Sequence, residues 1–445
     1  MNTETISIQS MSPRGHGIAV QPDGSEVNIL GAYIDDVVRA RVYKKAEGII
    51  YAELTEIVTP SAFRTHTPKS LPFFDANAPW RYLNSEKEYE IKEQLLQKIF
   101  STHIKEGITS KIPINKESAE YHYRNKAAYS FLERNGALHF ALYTRGTSGA
   151  QKVVQQDNLL VHKTITTAGN AFLIFFNQKK ASDTLLKYLT LRYSYHTNSV
   201  VAHILVTESS RKKLPWKKSD LEAFLLQNTN IKGILVSQSE AHVRSAHTTK
   251  DFYYIGDITI TEKVSGKTYQ YHPSQFFQIY PYAFEDILAD AVSCVTSIKN
   301  HQEYNLLDLF AGVGIIGIHL ASYVHSVQGV EQSPLSKVFA LQNAKNNGNK
   351  NFEYHEADVD EVCSYIQKKQ ILVIDPPRSG LSKKTIQTIQ EVLPEYILYI
   401  SCNPETQARD VSILIENYDI QESKGYNLFP KTPHIESLVF LKRKD

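Results

Sequence analysis

Cysteine is scarce in this sequence. The 445 residues include three cysteines, Cys294, Cys363 and Cys402, so none precedes Cys294. Three cysteines are too few for the disulfide framework of a small secreted domain, and such usage is typical of a reducing compartment. The sequence therefore predicts a cytoplasmic protein. It also excludes any iron–sulfur site built on cysteines ahead of Cys294.

Long apolar runs and a strong excess of one charge are absent too. No run reaches the roughly 18 apolar residues that a membrane-spanning helix needs. The first ten residues (MNTETISIQS) lack the basic start and apolar centre of a signal peptide. We therefore expect no membrane association. Because the formal net charge is +2, any nucleic-acid contact must rely on local basic patches.

What the sequence does contain is ample material for a core, with 42% hydrophobic residues and a length typical of two or three domains. Short alternating stretches separated by turn signals such as residues 12–15 (SPRG) fill residues 1–60. They lie at residues 6–8, 17–20, 27–30, 37–42 and 49–54. Short strands at this spacing predict a small OB-like β-barrel. Some barrels of this kind bind oligonucleotides and others are structural modules.

Residues 61–265 are predicted to form a central α+β domain. Within it, residues 86–100 place Ile91, Leu95 and Ile99 on one face of an amphipathic helix, with Ser85 as its N-cap. Two further helices are predicted at residues 185–191 and 221–226. Strands are predicted at residues 127–132, 138–143, 171–176, 200–206 and 231–237.

Strands and helices alternate over residues 266–445, which predicts an α/β domain with a doubly wound parallel sheet. Three of its strand-like runs end in distinctive segments: a glycine loop at residues 311–317 (AGVGIIG), an acid with two prolines at 375–380 (DPPRSG) and a thiol at 401–404 (SCNP). In open α/β sheets, ligands bind outside the carboxyl ends of the strands. The glycine loop, Asp375 and the thiol of Cys402 are therefore predicted to share one site.

Acidic residues surround the glycine loop. Asp308 lies in the strand ahead of it, Glu331 ends the next strand, and Asp358 follows a third strand. Glu331 is placed to accept hydrogen bonds from ribose hydroxyls, and Asp358 from an adenine amino group. Nicotinamide-dinucleotide enzymes share such loops, so the glycines alone are not specific. Because Asp308 would repel a pyrophosphate, S-adenosylmethionine fits these surroundings better.

Five motifs together carry a resemblance to a known family. They are residues 375–380 (DPPRSG), 401–404 (SCNP), 429–436 (FPKTPHIE), 123–126 (YRNK) and 274–278 (SQFFQ). Over nearly its whole length, the chain closely resembles the RNA 5-methyluridine (uracil-C5) methyltransferases. It is most similar to the branch with an N-terminal TRAM domain, which includes the 23S ribosomal RNA enzymes.

The resemblance implies a TRAM barrel at residues 1–60, an RNA-binding domain at 61–265 and a Rossmann-like S-adenosylmethionine-dependent methyltransferase domain at 266–445. The helix at residues 86–100 is expected to pack on the catalytic domain. By the same resemblance, Cys402 is the nucleophile and Glu436 the base. The residues expected to contact S-adenosylmethionine are Gln278, Phe310, Glu331, Asp358 and Asp375.

Many members of this family carry a four-cysteine iron–sulfur cluster. Other residue types stand here in the places of its ligands: Leu71, Asn77, Trp80 and Asn158. Since no cysteine precedes Cys294, we expect no iron–sulfur cluster and no other metal.

The implied chemistry needs both a thiolate and a base. Uracil C5 is too weak a nucleophile to attack a methyl sulfonium, but a thiolate that adds at C6 turns the ring into an enolate. A free thiol has a pKa near 8.5, so Cys402 needs surroundings that favour the thiolate. The C5 proton must then leave, and Glu436 is a suitable base.

The predicted activity is methylation of C5 of a uridine in RNA, with 23S ribosomal RNA as the favoured substrate and a monomeric enzyme. The T-loop uridine of tRNA and an inactive RNA-binding or ribosome-assembly factor remain alternatives. An N-directed methyltransferase is a further rival, although Arg378 stands where that class has an aromatic residue. The basic residues 211–218 (RKKLPWKK) form either an RNA surface with a stacking Trp216 or a solvated loop.

Overall fold

The computed structural model describes residues 5–46, 48–66, 75–104, 113–115, 119–146, 149–155, 158–208, 211–239, 250–359, 361 and 363–445. Within these ranges the strands form four sheets, of six, seven, two and eight strands. None of the helices in the described ranges is long and apolar enough to cross a membrane.

The first sheet lies within residues 5–59. Its strands are β1 (Thr5–Ser7), β2 (Ser10–Met11), β3 (Gly17–Val20), β4 (Glu26–Leu30), β5 (Val37–Ala46) and β6 (Ile49–Thr59), in the order β1-β5-β6-β4-β3-β2. β1 and β2 follow each other in the chain but lie at opposite edges of the sheet. The sheet therefore curls back on itself around Ile29, Val38 and Ala52, which agrees with the predicted OB-like fold.

Helix α1 (Ser85–His103) and the short strand β7 (Ile114–Asn115) follow. The helix begins one residue earlier than predicted, because Asn84 is its N-cap: the Asn84 side chain accepts a hydrogen bond from the Lys87 backbone N–H at 2.8 Å. The predicted N-cap, Ser85, is instead the first helical residue. Ile91 and Leu95 are buried in a core shared with the eight-stranded sheet, so α1 packs on the C-terminal part of the chain.

The seven-stranded sheet lies within residues 126–256. It contains β8 (Lys126–Arg134), β9 (Ala137–Gly146), β10 (Gly149–Val154), β11 (Leu186–Ser194), β12 (Ser199–Val206), β13 (Ile231–Gln238) and β14 (Lys250–Gly256), in the order β10-β9-β8-β11-β12-β13-β14. Helices α2 (Lys163–Gln178) and α3 (Lys218–Gln227) pack on its apolar face.

Two predicted elements of this region are wrong. Residues 171–176 (AFLIFF), predicted as a strand, lie inside α2, and residues 185–191, predicted as a helix, lie mostly in β11. A short apolar run does not separate helix from strand by itself. The deciding signal is the longer buried series Ile165, Ala168 and Phe172, which repeats at helical spacing.

The remaining elements begin with the hairpin β15 (Ile260–Val264) and β16 (Lys267–Tyr271), and helix α4 (Pro281–Thr296). The eight-stranded sheet then contains β17 (Asn305–Leu309), β18 (Ser326–Glu331), β19 (Phe352–Glu356), β20 (Gln370–Ile374), β21 (Tyr396–Ser401), β22 (Tyr418–Tyr426) and β23 (Glu436–Arg443), with β7 at its edge. Its helices are α5 (Ile315–Leu320), α6 (Pro334–Asn346), α7 (Lys383–Val392) and α8 (Pro404–Leu414). Short 3₁₀ turns lie at Arg211–Lys213, His301–Glu303, Ala321–Tyr323 and Cys363–Tyr365.

The strand order of this sheet is β19-β18-β17-β20-β21-β23-β22-β7. The five strands from β19 to β21 are parallel, and the order reverses between β17 and β20, as in a doubly wound fold. β23 is antiparallel and lies between β21 and β22. Its amino end therefore meets the carboxyl end of β21, which is where Cys402 follows.

A buried ion network fixes the segment ahead of β23. The Lys92 Nζ of α1 donates to Glu88 Oε1 at 2.9 Å and to Asn427 Oδ1 at 2.6 Å, and the Lys431 backbone N–H donates to Glu88 Oε1 at 3.0 Å. The three charged side chains are at most 1% exposed. Breaking one partner of such a network leaves a buried charge unpaired, so α1 holds this segment firmly.

Candidate active site

Two cavities open at the carboxyl edge of the eight-stranded sheet. One, of about 320 Å³, is lined by Phe310, Glu331, Gln332, Asp358, Val359, Pro377, Ser379, Gly380, Leu381 and Ser382. The other, of about 460 Å³, includes Cys402 and Arg378 in its lining. We name them the acidic cavity and the thiol cavity. The loop after β20 borders both, with Pro377 and Ser379 facing the first and Arg378 the second.

The glycine loop after β17 shapes the acidic cavity. Phe310, Gly312 and Gly314 have positive φ angles of 63°, 53° and 86°, which turn the backbone sharply. The Asp308 carboxylate accepts from the Gly317 N–H at 2.9 Å. A side chain at Gly317 would place its Cβ 2.8 Å from that carboxylate, so glycine is required there.

Two buried acids near this cavity, Asp308 and Asp375, have raised pKa values. Burial raises the pKa of Asp308 to about 8, with the charges of Asp375 and Glu331 adding to the effect, and burial raises the pKa of Asp375 to about 7. The Oδ1 of Asp308 has no hydrogen-bond partner within the described part of the chain. A ligand with positive charge or N–H donors would lower the free-energy cost of burying these carboxylates, whereas an anion would raise that cost.

The structure brings three of the predicted cofactor residues, Phe310, Glu331 and Asp358, to one cavity. Asp375 follows β20 at the same edge and lies close enough to influence the pKa of Asp308. Gln278 is different: it is buried in the loop between β16 and α4 and lines neither cavity. Its carbonyl accepts from Asn125 Nδ2 at 3.0 Å, so the YRNK motif holds this loop.

Cys402 and Glu436 lie at the same end of the paired strands β21 and β23. β21 and β23 pair antiparallel with Ser401, the last residue of β21, opposite Ser437, so Cys402 follows at the end of the ladder where Glu436 begins β23, and the Glu436 charge acts on the thiol. Cys402 is half-buried, and Glu436 is 3% exposed. The sequence places these residues more than thirty positions apart, and the antiparallel β23 brings them to one edge.

Hydrogen bonds join the loops around the thiol. Asn403 Nδ2 donates to the Arg378 carbonyl at 2.8 Å, and Arg378 Nη2 donates to His434 Nδ1 at 2.9 Å. Burial and the Arg378 charge lower the pKa of His434 to about 4, so its ring is neutral, and its proton is on Nε2 because Nδ1 accepts. Arg378 thus links the loop after β20 to the tail that carries Glu436.

Asp410 of α8 anchors the loop that contains Arg378. The buried Asp410 carboxylate accepts from the Leu381 N–H at 2.8 Å and from the Tyr399 hydroxyl at 2.7 Å. Gly380 has φ of 75°, and a Cβ there would lie 2.7 Å from Asp410 Oδ2. These contacts fix the wall between the two cavities.

The electrostatics of the thiol cavity differ from the expectation that its surroundings favour a thiolate. Burial raises the pKa of Cys402 to about 11, with the charges of Glu436 and Asp375 adding to it and Arg378 opposing it. Burial and the Asp375 charge also raise the pKa of Glu436 well above its usual value. Before substrate binds, Cys402 is therefore a thiol at neutral pH.

This pKa has a direct chemical consequence. The alkylation rate of Cys402 by iodoacetamide should rise about tenfold per pH unit from pH 7 to beyond pH 9, because the thiolate fraction grows until the pKa is reached. Arg378→Gln should lower the rate at each pH, since the Arg378 charge favours the thiolate. Mass spectrometry of the peptide that contains Cys402 measures the rate. A plateau near pH 8.5 would show an unperturbed thiol.

Sequence reasoning missed two arginines and misplaced one aromatic residue. Arg14 and Arg124 line the thiol cavity beside Arg378. The YRNK motif contained a signal for Arg124, whereas nothing marked Arg14. The prediction that Trp216 could stack on RNA is wrong: it is 4% exposed and packs against Phe176 in the core of the seven-stranded sheet.

The positions that correspond to cluster ligands differ in their surroundings. The Asn77 backbone N–H donates to Asp75 Oδ1 at 2.9 Å, the residue lines the thiol cavity, and its Nδ2 is buried without a partner within the described residues. Trp80 is fully buried, and its indole N–H donates to the Gly15 carbonyl at 3.3 Å. The Asn158 side chain accepts from the Leu160 N–H at 3.3 Å, and Leu71 lies outside the described residues. Over the described ranges, no group of three or more His, Cys, Asp or Glu side chains is arranged to hold a metal ion.

Comparisons with known proteins identify the family of the chain. The model of a family described as tRNA (uracil-5-)-methyltransferase matches residues 85–444. Uncharacterized RNA methyltransferases of Caldanaerobacter subterraneus and Thermotoga maritima are each 27% identical, covering 99% of this chain and 98% and 99% of their own lengths. The tRNA (uracil-54, C5)-methyltransferase of Pyrococcus abyssi, solved with S-adenosyl-L-homocysteine, has a TM-score of 0.77 at 20% identity, covering 98% of this chain and 100% of that one.

Proposed function

The chain belongs to the tRNA (uracil-5-)-methyltransferase family, and from this premise we propose that it methylates C5 of a uridine in RNA with S-adenosylmethionine as the methyl donor. The observation that carries the proposal is the placement of Cys402 beside Glu436 and Arg378, next to the acidic cavity. We assign residues 266–445 to catalysis and residues 1–60 and 61–265 to RNA binding. The low cysteine count supports a cytoplasmic enzyme, which we expect to be monomeric.

The acidic cavity fits S-adenosylmethionine. Next to the glycine loop, the Oδ1 of Asp308 has no hydrogen-bond partner within the described residues, and a ligand with N–H donors or a positively charged part offers one. Among the described residues other than its chain neighbours, no heavy atom lies within 4 Å of the Cβ position of Gly312. We propose that Phe310, Glu331 and Asp358, which line this cavity, hold the cofactor, with Asp375 following β20 at the same edge. Gln278 lines neither cavity, and its contact with the cofactor stays a prediction of the family resemblance. When bound, the cofactor supplies the methyl group as an electrophile.

Glu331→Ala should weaken S-adenosylmethionine binding. A lost charge-assisted hydrogen bond costs about 1.5–3 kcal/mol, which corresponds to roughly 10- to 150-fold in Kd. Calorimetry measures the change, and Glu353→Ala is the matched control because Glu353 is an exposed acid of the adjacent strand β19. Equal affinity in both variants would remove Glu331 from the cofactor site.

Cys402 performs the activating step. Its Sγ forms a bond to C6 of the uracil, the C5–C6 electron pair moves onto O4 as an enolate, and the thiol proton leaves to solvent. C5 thereby becomes the nucleophile that would take the methyl group, with the S–CH₃ bond of the donor breaking and S-adenosylhomocysteine as the leaving product. The Arg378 guanidinium favours the thiolate through its positive charge, which offsets part of the cost of forming it in a buried site.

Glu436 completes the cycle. Its carboxylate takes the C5 proton, the C5–C6 double bond reforms, and the S–C6 bond breaks with its electron pair returning to Sγ. The raised pKa makes the ionised carboxylate a stronger base than a solvated glutamate. Because the uracil must enter a cavity beside buried groups, the target is expected in a loop or in RNA that the enzyme opens.

We propose a uridine of 23S ribosomal RNA as the target, with the T-loop uridine of tRNA as the second candidate because the matching family is described as tRNA methyltransferases. The barrel does not distinguish these two candidate substrates, because the tRNA methyltransferase structure of Pyrococcus abyssi also matches over 98% of this chain. Mapping 5-methyluridine in both RNAs from a deletion strain tests the proposal. Loss from 23S RNA supports it, loss from tRNA selects the alternative, and no loss in either favours an inactive factor.

A further inference from the structure

The barrel presents a rigid turn to the thiol cavity. At residues 12–16, the Ser12 N–H donates to the His16 carbonyl at 2.8 Å and the Gly15 N–H donates to the Ser12 carbonyl at 2.9 Å. The Ser12 hydroxyl also accepts from the His16 N–H at 3.0 Å. Gly15 has φ of 83°, which this tight turn requires. Arg14 lies at the tip and is exposed.

The turn packs against Trp80 and Pro433. The Trp80 indole N–H donates to the Gly15 carbonyl at 3.3 Å, and Trp80 is fully buried. A Cβ at Gly15 would lie 3.1 Å from Pro433 Cγ, which shows how closely the turn meets the tail. Pro433 precedes His434, the hydrogen-bond partner of Arg378. The position of Arg14 is therefore set by the same segment that carries the active-site residues.

Three guanidinium groups converge on the thiol cavity from three separate parts of the chain: Arg14 from the barrel, Arg124 from the start of the central region, and Arg378 from the loop after β20. Within the described residues, none of them has a carboxylate within ion-pair distance, and the Nε of Arg124 is buried without a partner. Glu405 is the one acid among the described lining residues. Such a cavity attracts anions.

We propose that Arg14 binds a backbone phosphate of the RNA next to the target uridine, so that the barrel completes the substrate site of the catalytic domain. This inference rests on the proposed function, because the uracil beside Cys402 fixes where the flanking phosphates lie. A guanidinium matches a phosphate with paired hydrogen bonds, and its docked turn limits the conformational freedom lost on binding. Arg14 then discriminates a polynucleotide from a free nucleoside.

The test uses full-length protein, tritiated S-adenosylmethionine and total RNA from the deletion strain, which retains the unmodified target. Arg14→Ala should raise the KM for RNA about tenfold with kcat within about twofold. It should also reduce the slope of log(kcat/KM) against log[salt] by about one, as expected for one lost phosphate contact. Arg14→Lys, which keeps the charge, should recover the salt slope.

The matched control is Arg41→Ala. Arg41 is an exposed arginine on β5 of the barrel, and its guanidinium pairs with the Glu53 carboxylate at 3.0 Å. The substitution Arg41→Ala therefore removes the same charge from the same barrel at a position outside the thiol cavity. Equal effects of Arg14→Ala and Arg41→Ala, or no effect of either, would overturn the proposal. If wild type incorporates no methyl group, the proposed function fails instead. Filter binding of the same RNA to wild type and both variants then still decides the role of Arg14.

Discussion

Cys402→Ala should abolish methylation, with a loss on the order of 10⁶-fold, the size seen when a covalent nucleophile is removed. Without Sγ, no bond to C6 forms and C5 stays unactivated. The variant should also form no RNA–protein adduct, while its affinity for S-adenosylmethionine is unchanged because Cys402 lines the other cavity. Methyl incorporation into total RNA from a deletion strain, denaturing electrophoresis and calorimetry measure these three outcomes.

The control for this variant is Cys294→Ala. Cys294 is a 6% exposed residue of α4 that packs in the core, so its replacement should lower thermal stability and leave the rate nearly unchanged. An N-directed methyltransferase would keep its activity in Cys402→Ala. Uridine C5 methylation by Cys402→Ala at a rate near that of wild type would rule out the covalent mechanism.

The positions of Glu331, Asp375 and Cys402 in the fold were predictable because they depend on local pattern. A buried parallel strand followed by polar residues marks a carboxyl end, and all such ends meet at one edge of the sheet. That reasoning alone places Glu331, Asp375 and Cys402 together, and the structure has them at that edge. The doubly wound fold follows from the same alternation of strands and helices.

The placement of Glu436 was not predictable from local pattern, because it depends on a distant pairing. Glu436 begins an apolar run typical of a core strand, and only the insertion of antiparallel β23 between β21 and β22 brings it beside Cys402. The motif resemblance supplied its role. Arg14 was missed for a similar reason. Its turn lies at the thiol cavity because it packs against Trp80 and Pro433, which are far away in the chain.

Local errors had a different cause. Residues 171–176 (AFLIFF) are apolar at every position, so they contain no period, and the buried positions of α2 become visible only over its full length. Trp216 stands in a basic run, which favoured a surface position. The apolar area of its ring, however, is better buried against Phe175 and Phe176 than exposed beside the lysines.

Glu436→Gln should stall the reaction after methyl transfer. The thiol of Cys402 and the guanidinium of Arg378 remain, so addition to C6 and methylation of C5 proceed, but no carboxylate is present to take the C5 proton. An RNA–protein adduct that survives denaturing electrophoresis should therefore accumulate when RNA and S-adenosylmethionine are both present. The fold should be kept, because glutamine has nearly the same shape and volume as the glutamate that it replaces.

Three comparisons make this result decisive. Glu422→Gln, an exposed acid on the neighbouring strand β22, should turn over without an adduct. Wild type should be trapped in the same way by RNA that contains 5-fluorouridine, since fluorine does not leave as a proton does. The double variant Cys402→Ala/Glu436→Gln should give no adduct, because the trapped bond is between Sγ and C6. If Glu436→Gln instead turns over at a rate close to that of wild type, another group removes the C5 proton and Glu436 is a structural acid at the start of β23.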